Sequence, residues 1–339
     1  MIMKTSDLKI AIVGCGAIGA RHAGIIASQY QLTALCDVDR SKAEKLAEGT
    51  GARCFEKLED LLANSSPDVL AVCTPNGLHA EHSILALNNG VNVLCEKPMA
   101  IKPGDCAAMI AAANIAGKQL YVVKQNRFNP PVAAVKRLLN EGVLGELTSF
   151  QLNCFWHRPE SYYKNTWHGS LLMDGGTLFT QFSHFIDILY WFLGDIESLQ
   201  AIGGNFQHKG MMEFEDCGAV LLKMKNGSVG TLNYNVNATD CNMEGSITLF
   251  GSKGTVKIGG EYLNTLSYFK VKGMEAPGLQ SGNAANSYGF YNGSMNNHEE
   301  VYIHLRKALK GEPASLPDAE DAMKTVDIIC RIYEKLRER

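Results

Sequence analysis

Several features are missing from this 339-residue chain, and each absence closes off a class of protein. No two of its ten cysteines stand in C-x-x-C spacing, so zinc and dithiol redox sites are not expected and no metal is assigned. Neither sign of charge dominates: 32 Lys and Arg stand against 35 Asp and Glu, a formal net charge of -3. That balance gives no basis for a nucleic-acid partner or an anionic membrane surface. No apolar run approaches the roughly 20 residues of a transmembrane helix, so no membrane partner is expected. The opening "MIMKTSDLKIAIVG" runs straight into a glycine turn and is not expected to be a signal peptide. Internal repeats and low-complexity stretches are also absent. What remains is 46% hydrophobic and 20% charged, with length for two domains that each hold a core. Cysteines close the runs "LTALC", "VLAVC" and "VNVLC", where a small buried thiol is at home, which suits a reducing cytoplasm.

The first 124 residues read as a dinucleotide-binding domain. "LKIAIVGCGAIGARHAGIIASQ" is an apolar strand, then Gly14-x-Gly16-x-x-Gly19 enclosing Ala17 and Ile18, then an amphipathic helix. Gly14 permits the tight turn, Gly16 lets backbone approach a pyrophosphate, and Gly19 lets the helix pack closely. The phosphates would sit on the free N–H groups of that helix. The second strand ends in Asp37, 23 residues past Gly14, where a carboxylate accepts from both ribose hydroxyls and repels a 2′-phosphate. NAD is therefore expected over NADP, with Arg40 keeping NADP open. Further strand–helix alternation predicts a parallel, doubly wound sheet with its ligand beyond the carboxyl ends of the strands. Two of those ends carry "CTPNGLH" and "CEKPMA". Thr74, Pro75, Asn76 and Glu96 are expected to line the crevice, and Lys97, held extended before Pro98, is either an acid–base group there or a solvated surface lysine.

Residues 125–339 change pattern. Runs such as "CGAVLLKMKNGSVGTLNYNVN" and "GSITLFGSKGTVKIGG", broken by N-G, K-G and G-G, predict hairpins of an antiparallel sheet. A helix is expected at about 176–193 and two more at about 297–310 and 317–337, with a loop over 270–296. A largely open sheet needs cover, so a homodimer or homotetramer is expected. "DGGTLFTQFSHFID" places Thr180, His184 and Asp187 on one stripe of an otherwise apolar helix. On spacing alone, His184 is as readily a core histidine as a catalytic one. His298 opens a helix and could face the crevice, although "GSMNNH" reads equally well as a cap.

G-x-G-x-x-G, T-P-N-x-x-H and E-K-P, in this order and spacing, resemble the glucose–fructose oxidoreductase/inositol dehydrogenase (Gfo/Idh/MocA) family over essentially the whole chain. The resemblance implies an α/β protein. Its parts are an N-terminal Rossmann domain and a C-terminal α/β domain whose largely antiparallel open sheet mediates oligomers. It also implies reversible hydride transfer between NAD(P) and a sugar or polyol carbon. "VVKQNRFN", "FWHRPESYY", "DGGTLFTQFSHFIDILYWFLG" and "EGSITLFGSKGTVKIGG" are similar to a narrower subgroup. Its members oxidise C3 of UDP-N-acetyl-2-amino-2-deoxy-D-glucuronate, on the route to bacterial surface polysaccharide. A dehydrogenase of inositol or another free sugar is the alternative on the same scaffold. A non-catalytic NAD-binding sensor is the alternative of another class.

Carried over by that resemblance, Lys97 matches the family's active-site lysine and His184 its catalytic histidine. Where many members carry an aspartate four positions before the histidine, this chain has Thr180, a hydroxyl that cannot hold a charge. His79 and Gln125 join the residues assigned to the cofactor, and Trp167 and His168 either close over the nicotinamide or pack as loop aromatics. Lys97, Arg158, Tyr163, Thr180 and His184 are assigned to the substrate. Arg158 and Tyr163 would meet the nucleotide sugar's anionic groups, with an Arg158–Glu160 pair as the alternative. Lys97 or His184 takes the hydroxyl proton while the other polarises the oxygen, and Asp187 orients the imidazole or pairs locally. A 2-oxo acid is a conceivable reoxidant if NADH stays bound.

Overall fold

The computed structural model describes residues 8–287, 289 and 291–338. The chain forms two compact units. One runs through Val123 and takes back His298–Met323, and the other holds Lys124–Asn297 and the residues from Lys324 onward.

In the first unit β1 (Lys9–Val13), β2 (Gln31–Cys36), β3 (Arg53–Phe55), β4 (Val69–Val72), β5 (Asn92–Cys95) and β6 (Leu120–Val122) lie in the order β3-β2-β1-β4-β5-β6. Every pairing is parallel. Strands buried on both faces must be apolar along their whole length, and β4 is buried throughout, while only Lys9 of β1 is exposed. The order reverses between β1 and β4, which puts a switch point at their carboxyl ends. Cys36, Cys73 and Cys95, which close the three apolar runs, are buried. The helix His298–Leu309 also belongs here, although the sequence division at 124/125 assigned it to the second half. Its Tyr302 is fully buried, with its ring 5.7 Å from that of Tyr30 and its hydroxyl 2.5 Å from His22 Nδ1.

The second unit is built on β7 (Leu147–Phe155), β8 (Ile196–Gly204), β9 (Cys217–Met224), β10 (Val229–Asn235), β11 (Glu244–Gly251), β12 (Gly254–Gly259) and β13 (Thr265–Val271). Their order is β13-β12-β11-β7-β10-β9-β8, antiparallel except where β10 runs alongside β7. Burial alternates with period two. Phe150, Leu152 and Cys154 point inward on β7, and Val220, Leu222 and Met224 on β9. The opposite face leaves Leu221, Phe250 and Tyr268 exposed. The segment 270–296 is not all loop, because β14 (Ala285–Ser287) and β15 (Asn292–Met295) form a hairpin within it.

The single helix expected at 176–193 is two helices, Thr177–Thr180 and Ser183–Leu193, restarting at Phe182. Packing explains the break. Phe182 is fully buried against Trp156 (ring centroids 5.3 Å) and Tyr234 (6.3 Å), while the neighbouring Gln181 is held by Arg158. Burying a phenylalanine of this kind is worth about 1.5–3 kcal/mol, more than a short stretch of helix returns. Among the described residues no helix is long and apolar enough to cross a membrane.

Candidate active site

The glycine turn of the first unit separates two kinds of glycine. Gly14 has φ 92°, and a Cβ there would lie 2.6 Å from the Cys73 carbonyl carbon. A Cβ on Gly19 would run into the Gly14 carbonyl oxygen. Those two are demanded by the fold. Gly16 is exposed, and a Cβ there would meet nothing within 4 Å. The helix that starts at Ala17 has no side-chain cap, so bare backbone N–H groups face open ground beside Gly16, Ala17 and Ile18. This is a cradle of the shape and polarity that a pyrophosphate requires. Asp37 follows β2, and its carboxylate accepts from Cys15 N–H at 2.7 Å and Asp39 N–H at 2.9 Å, which turns it toward the glycine turn. Arg40 pairs with Glu44 at 2.8 Å. The donor set thus fits a dinucleotide with an unphosphorylated ribose.

Past β4, Thr74 Oγ1 lies 3.0 Å from His82 Nδ1, and Pro75 leads into the short turn Asn76–Leu78. His79 does not open toward a ligand. It is buried, with Nδ1 2.7 Å from the Pro98 carbonyl and Nε2 2.9 Å from the Thr74 carbonyl. The imidazole ties the T-P-N segment to the E-K-P segment, and burial lowers its pKa. Glu96 is likewise turned inward. Its Oε1 lies 2.9 Å from His22 Nε2 and 3.5 Å from His298 Nε2, while Oε2 accepts from Lys97 N–H at 3.0 Å. Burial works against its charge, but the hydrogen bonds and nearby rings of His22 and His298 outweigh that and hold it well below the usual carboxylate range. Lys97 itself is half-buried and joined to Pro98 by a cis peptide.

In the second unit the "FWHRPESYY" and "DGGTLFTQFSH" segments meet. Arg158 is buried, its Nε donating to Gln181 Oε1 at 2.6 Å and its Nη1 to the His157 carbonyl at 2.6 Å and Asn242 Oδ1 at 3.2 Å. The rings of Trp156, Tyr291 and Tyr162 surround the guanidinium at 4.8, 4.9 and 5.6 Å. Every acceptor is neutral, because Glu160 pairs with Lys164 instead. Among the described residues no carboxylate lies within 4.0 Å of Arg158. Gln181 in turn donates to the Tyr162 hydroxyl at 2.9 Å, and His168 stacks on Tyr162 with ring centroids 4.1 Å apart. Trp167 leans on His168 at 3.9 Å, and Tyr163 packs edge-on to Tyr162 at 5.0 Å.

Thr180, His184 and Asp187 do not share one stripe, since the helix breaks between the first two. The Thr180 hydroxyl donates to Asp174. His184 is buried in the first turn of the second helix. Asp187 does not orient the imidazole: it accepts from Arg127 at 2.7 and 2.9 Å and from Lys124 at 3.0 Å, all three buried. Burial would raise its pKa, but the two cations hold it far below the ordinary range. Gln125 donates to Ser294 Oγ at 3.3 Å.

Residues 8–124 match the family profile described as an oxidoreductase family with an NAD-binding Rossmann fold, and residues 132–257 match the GFO/IDH/MocA C-terminal domain. The chain belongs to the Gfo/Idh/MocA family. This Gfo/Idh/MocA oxidoreductase is 32% identical to the WlbA dehydrogenase from Bordetella pertussis, whose crystal structure holds NADH and UDP-GlcNAcA. That match has a TM-score of 0.87 and covers 98% of this chain and 97% of the other. The D-glucoside 3-dehydrogenase of Escherichia coli K12 is 36% identical over 149 residues, 43% of this chain and 42% of that protein. Inositol 2-dehydrogenase 3 of Saccharopolyspora erythraea is 26% identical, over 74% of this chain and 73% of that protein. The expected Rossmann domain, the open second sheet and the NAD cofactor are borne out.

Sequence reasoning missed several residues of this candidate site. Gln181 stood inside a motif, Q-x-S-H, and could have been picked out as the polar residue between two phenylalanines. Asn242 and Tyr291 reach Arg158 from segments far along the chain, and nothing local marks them. His22 and Tyr302 behind Glu96 had no signal beyond being polar residues on apolar helix faces, and His298, which the sequence offered as a crevice residue or a cap, turns instead toward Glu96.

Proposed function

We propose that this oxidoreductase uses NAD to oxidise C3 of UDP-N-acetyl-2-amino-2-deoxy-glucuronate. The observation that carries the proposal is Arg158, a guanidinium buried among aromatic rings with only neutral acceptors. A buried cation without an anion is costly, and a substrate carrying a carboxylate and a diphosphate supplies what is missing. The likeness to a dehydrogenase crystallised with UDP-GlcNAcA supports the same substrate class.

Bound NAD supplies the hydride acceptor. In this reading Gly16, Ala17 and Ile18 hold the pyrophosphate through backbone N–H groups and Asp37 accepts from the ribose. Thr74, Pro75, Asn76, Gln125 and Trp167, with His168 behind it, are assigned toward the nicotinamide. Arg158 receives the substrate's negative charge and Tyr163 the same end of the molecule, while Thr180 touches the sugar. Lys97 and His184 serve the reacting hydroxyl, one removing its proton and the other polarising its oxygen. Proton loss raises electron density on the carbon, so the hydride departs more readily; general-base help of this kind is worth about 10²–10⁴-fold. The exposed face carrying Leu221, Phe250 and Tyr268 is proposed to cover itself with a second copy of the chain, in the cytoplasm, as a dimer or tetramer.

The test mixes protein, NAD and UDP-N-acetylglucosaminuronate, with and without 2-oxoglutarate, and follows NADH and sugar products. A 3-keto nucleotide sugar formed from the uronate supports the proposal. Turnover of myo-inositol or a free sugar with none on the uronate overturns the substrate and keeps the enzyme class. Tight NADH binding without turnover on any sugar favours a sensor.

A further inference from the structure

The cluster behind Glu96 has a directed order. His22 stands on the helix Ala17–Gln29, Glu96 follows β5, and His298 and Tyr302 sit one turn apart on the helix His298–Leu309. All four are buried. His22 Nδ1 lies 2.5 Å from the Tyr302 hydroxyl and its Nε2 2.9 Å from Glu96 Oε1. A carboxylate can only accept, and the Lys97 backbone N–H can only donate. With Nε2 donating and Nδ1 accepting, His22 satisfies the series in one polarity. Tyr302 O–H donates to Nδ1, Nε2–H donates to Glu96 Oε1, and Glu96 Oε2 accepts from Lys97 N–H. His298 sits edge-on to His22 at 5.4 Å and brings its Nε2 to 3.5 Å from the same Glu96 oxygen.

We propose that His22 is a positioning residue for Lys97: with its tautomer set by Tyr302, it orients the Glu96 carboxylate that fixes the Lys97 backbone. The inference rests on the reading of Lys97 as an acid–base group. The series holds only while Glu96 is ionised, and a neutralised Glu96 would no longer favour the ammonium form of the adjacent lysine. The other titratable or charged groups around Glu96 and His298 are Arg21 on the first helix, Cys73 after β4, His79, and Cys95 at the end of β5.

The test uses full-length protein with NADH bound and compares wild type with His22→Leu, His22→Gln and Tyr302→Phe. Lys97 is acetylated across a pH series and read by mass spectrometry, with Lys102 as internal reference, and kinetics are measured on the nucleotide uronate. His22→Leu is expected to move the Lys97 profile to lower pH by about one unit. It should also lower kcat about tenfold or more at unchanged KM, the signature of lost positioning. His22→Gln keeps a donor near the Nε2 position and should restore most of both, and Tyr302→Phe should fall between. If His22→Leu does not fold, Tyr302→Phe decides, since it only removes a hydroxyl. An unmoved Lys97 profile in the folded variant overturns the proposal. So does a stoichiometric metal recovered with the protein, because the three ligand atoms of His22, Glu96 and His298 lie within 4.8 Å of one another. Labelling needs no substrate, so a wild type that ignores the uronate would sink the substrate assignment and leave this comparison to decide for itself.

Discussion

Arg127 and Arg158 are two buried guanidiniums of the same unit, each lying over an aromatic ring: Trp191 at 4.9 Å for Arg127, Trp156 at 4.8 Å for Arg158. Arg127 grips Asp187 with two hydrogen bonds and shares it with Lys124. Arg158 meets an amide on Gln181, an amide on Asn242 and a backbone carbonyl. The contrast shows how to tell structural charge from functional charge. The first arginine is compensated from within the protein and holds segments together. The second is preorganised by its rings and amides but not neutralised, which is what the proposed role in binding the substrate's anion requires. Cation–π contact offsets part of its burial, about 2 kcal/mol or more for a well-desolvated ring.

The comparison breaks if the two clusters respond alike to mutation. Asp187→Ala should be the largest effect, because it strands two buried cations; a loss of about 3–5 kcal/mol is expected in urea unfolding. Arg158→Met strands only amide acceptors, so its cost in stability should be smaller, about 1–3 kcal/mol. Its kcat/KM for the uronate should instead fall on the order of 100-fold, as when one partner of a desolvated charge pair is removed. Equal stability losses in the two variants would mean that Arg158 is structural after all.

The same logic divides the glycines. Gly16→Val should weaken NADH binding at least about tenfold, read by fluorescence titration, with little change in Tm, since its side chain enters open ground that backbone approach to a phosphate needs. Gly19→Val should lower Tm, because there is no room beside the Gly14 carbonyl.

A gentler effect comes from Glu215, whose pKa burial pushes up to about 7 despite a hydrogen bond from Tyr234. A carboxyl that binds its proton more tightly when folded stabilises the fold fully below its ordinary value of 4.5. That contribution is lost as pH rises through about 7. Asp187 acts with the opposite sign, its contribution present at neutral pH and lost only in strong acid. Glu215→Gln should therefore flatten the fall in Tm between pH 5 and 8, and a slope equal to wild type would refute the assignment.

What was legible in the sequence followed the range of the interaction. The glycine turn, Asp37 and the strand pattern of the parallel sheet are local chemistry, carried by neighbours within one βαβ unit, and they could be read directly. Arg158 could be nominated but its ring of partners could not, since Asn242 is 84 residues away. The Thr180–His184–Asp187 stripe failed because a period of 3.6 assumes an unbroken helix, and tertiary packing of Phe182 ended it. His22 and Tyr302, 280 residues apart, were invisible for the same reason. Hydrogen bonds between distant segments leave no period behind.

The most direct test of the account is kcat/KM with NAD for UDP-N-acetylglucosaminuronate, UDP-N-acetylglucosamine and myo-inositol, in wild type and in Arg158→Met. Wild type should prefer the uronate, and Arg158→Met should lose the anionic substrate selectively. Loss confined to the uronate assigns Arg158 to the sugar carboxylate, and equal loss on both UDP sugars assigns it to the diphosphate. Turnover of the uronate unchanged in Arg158→Met, or a wild type that prefers myo-inositol, would contradict it.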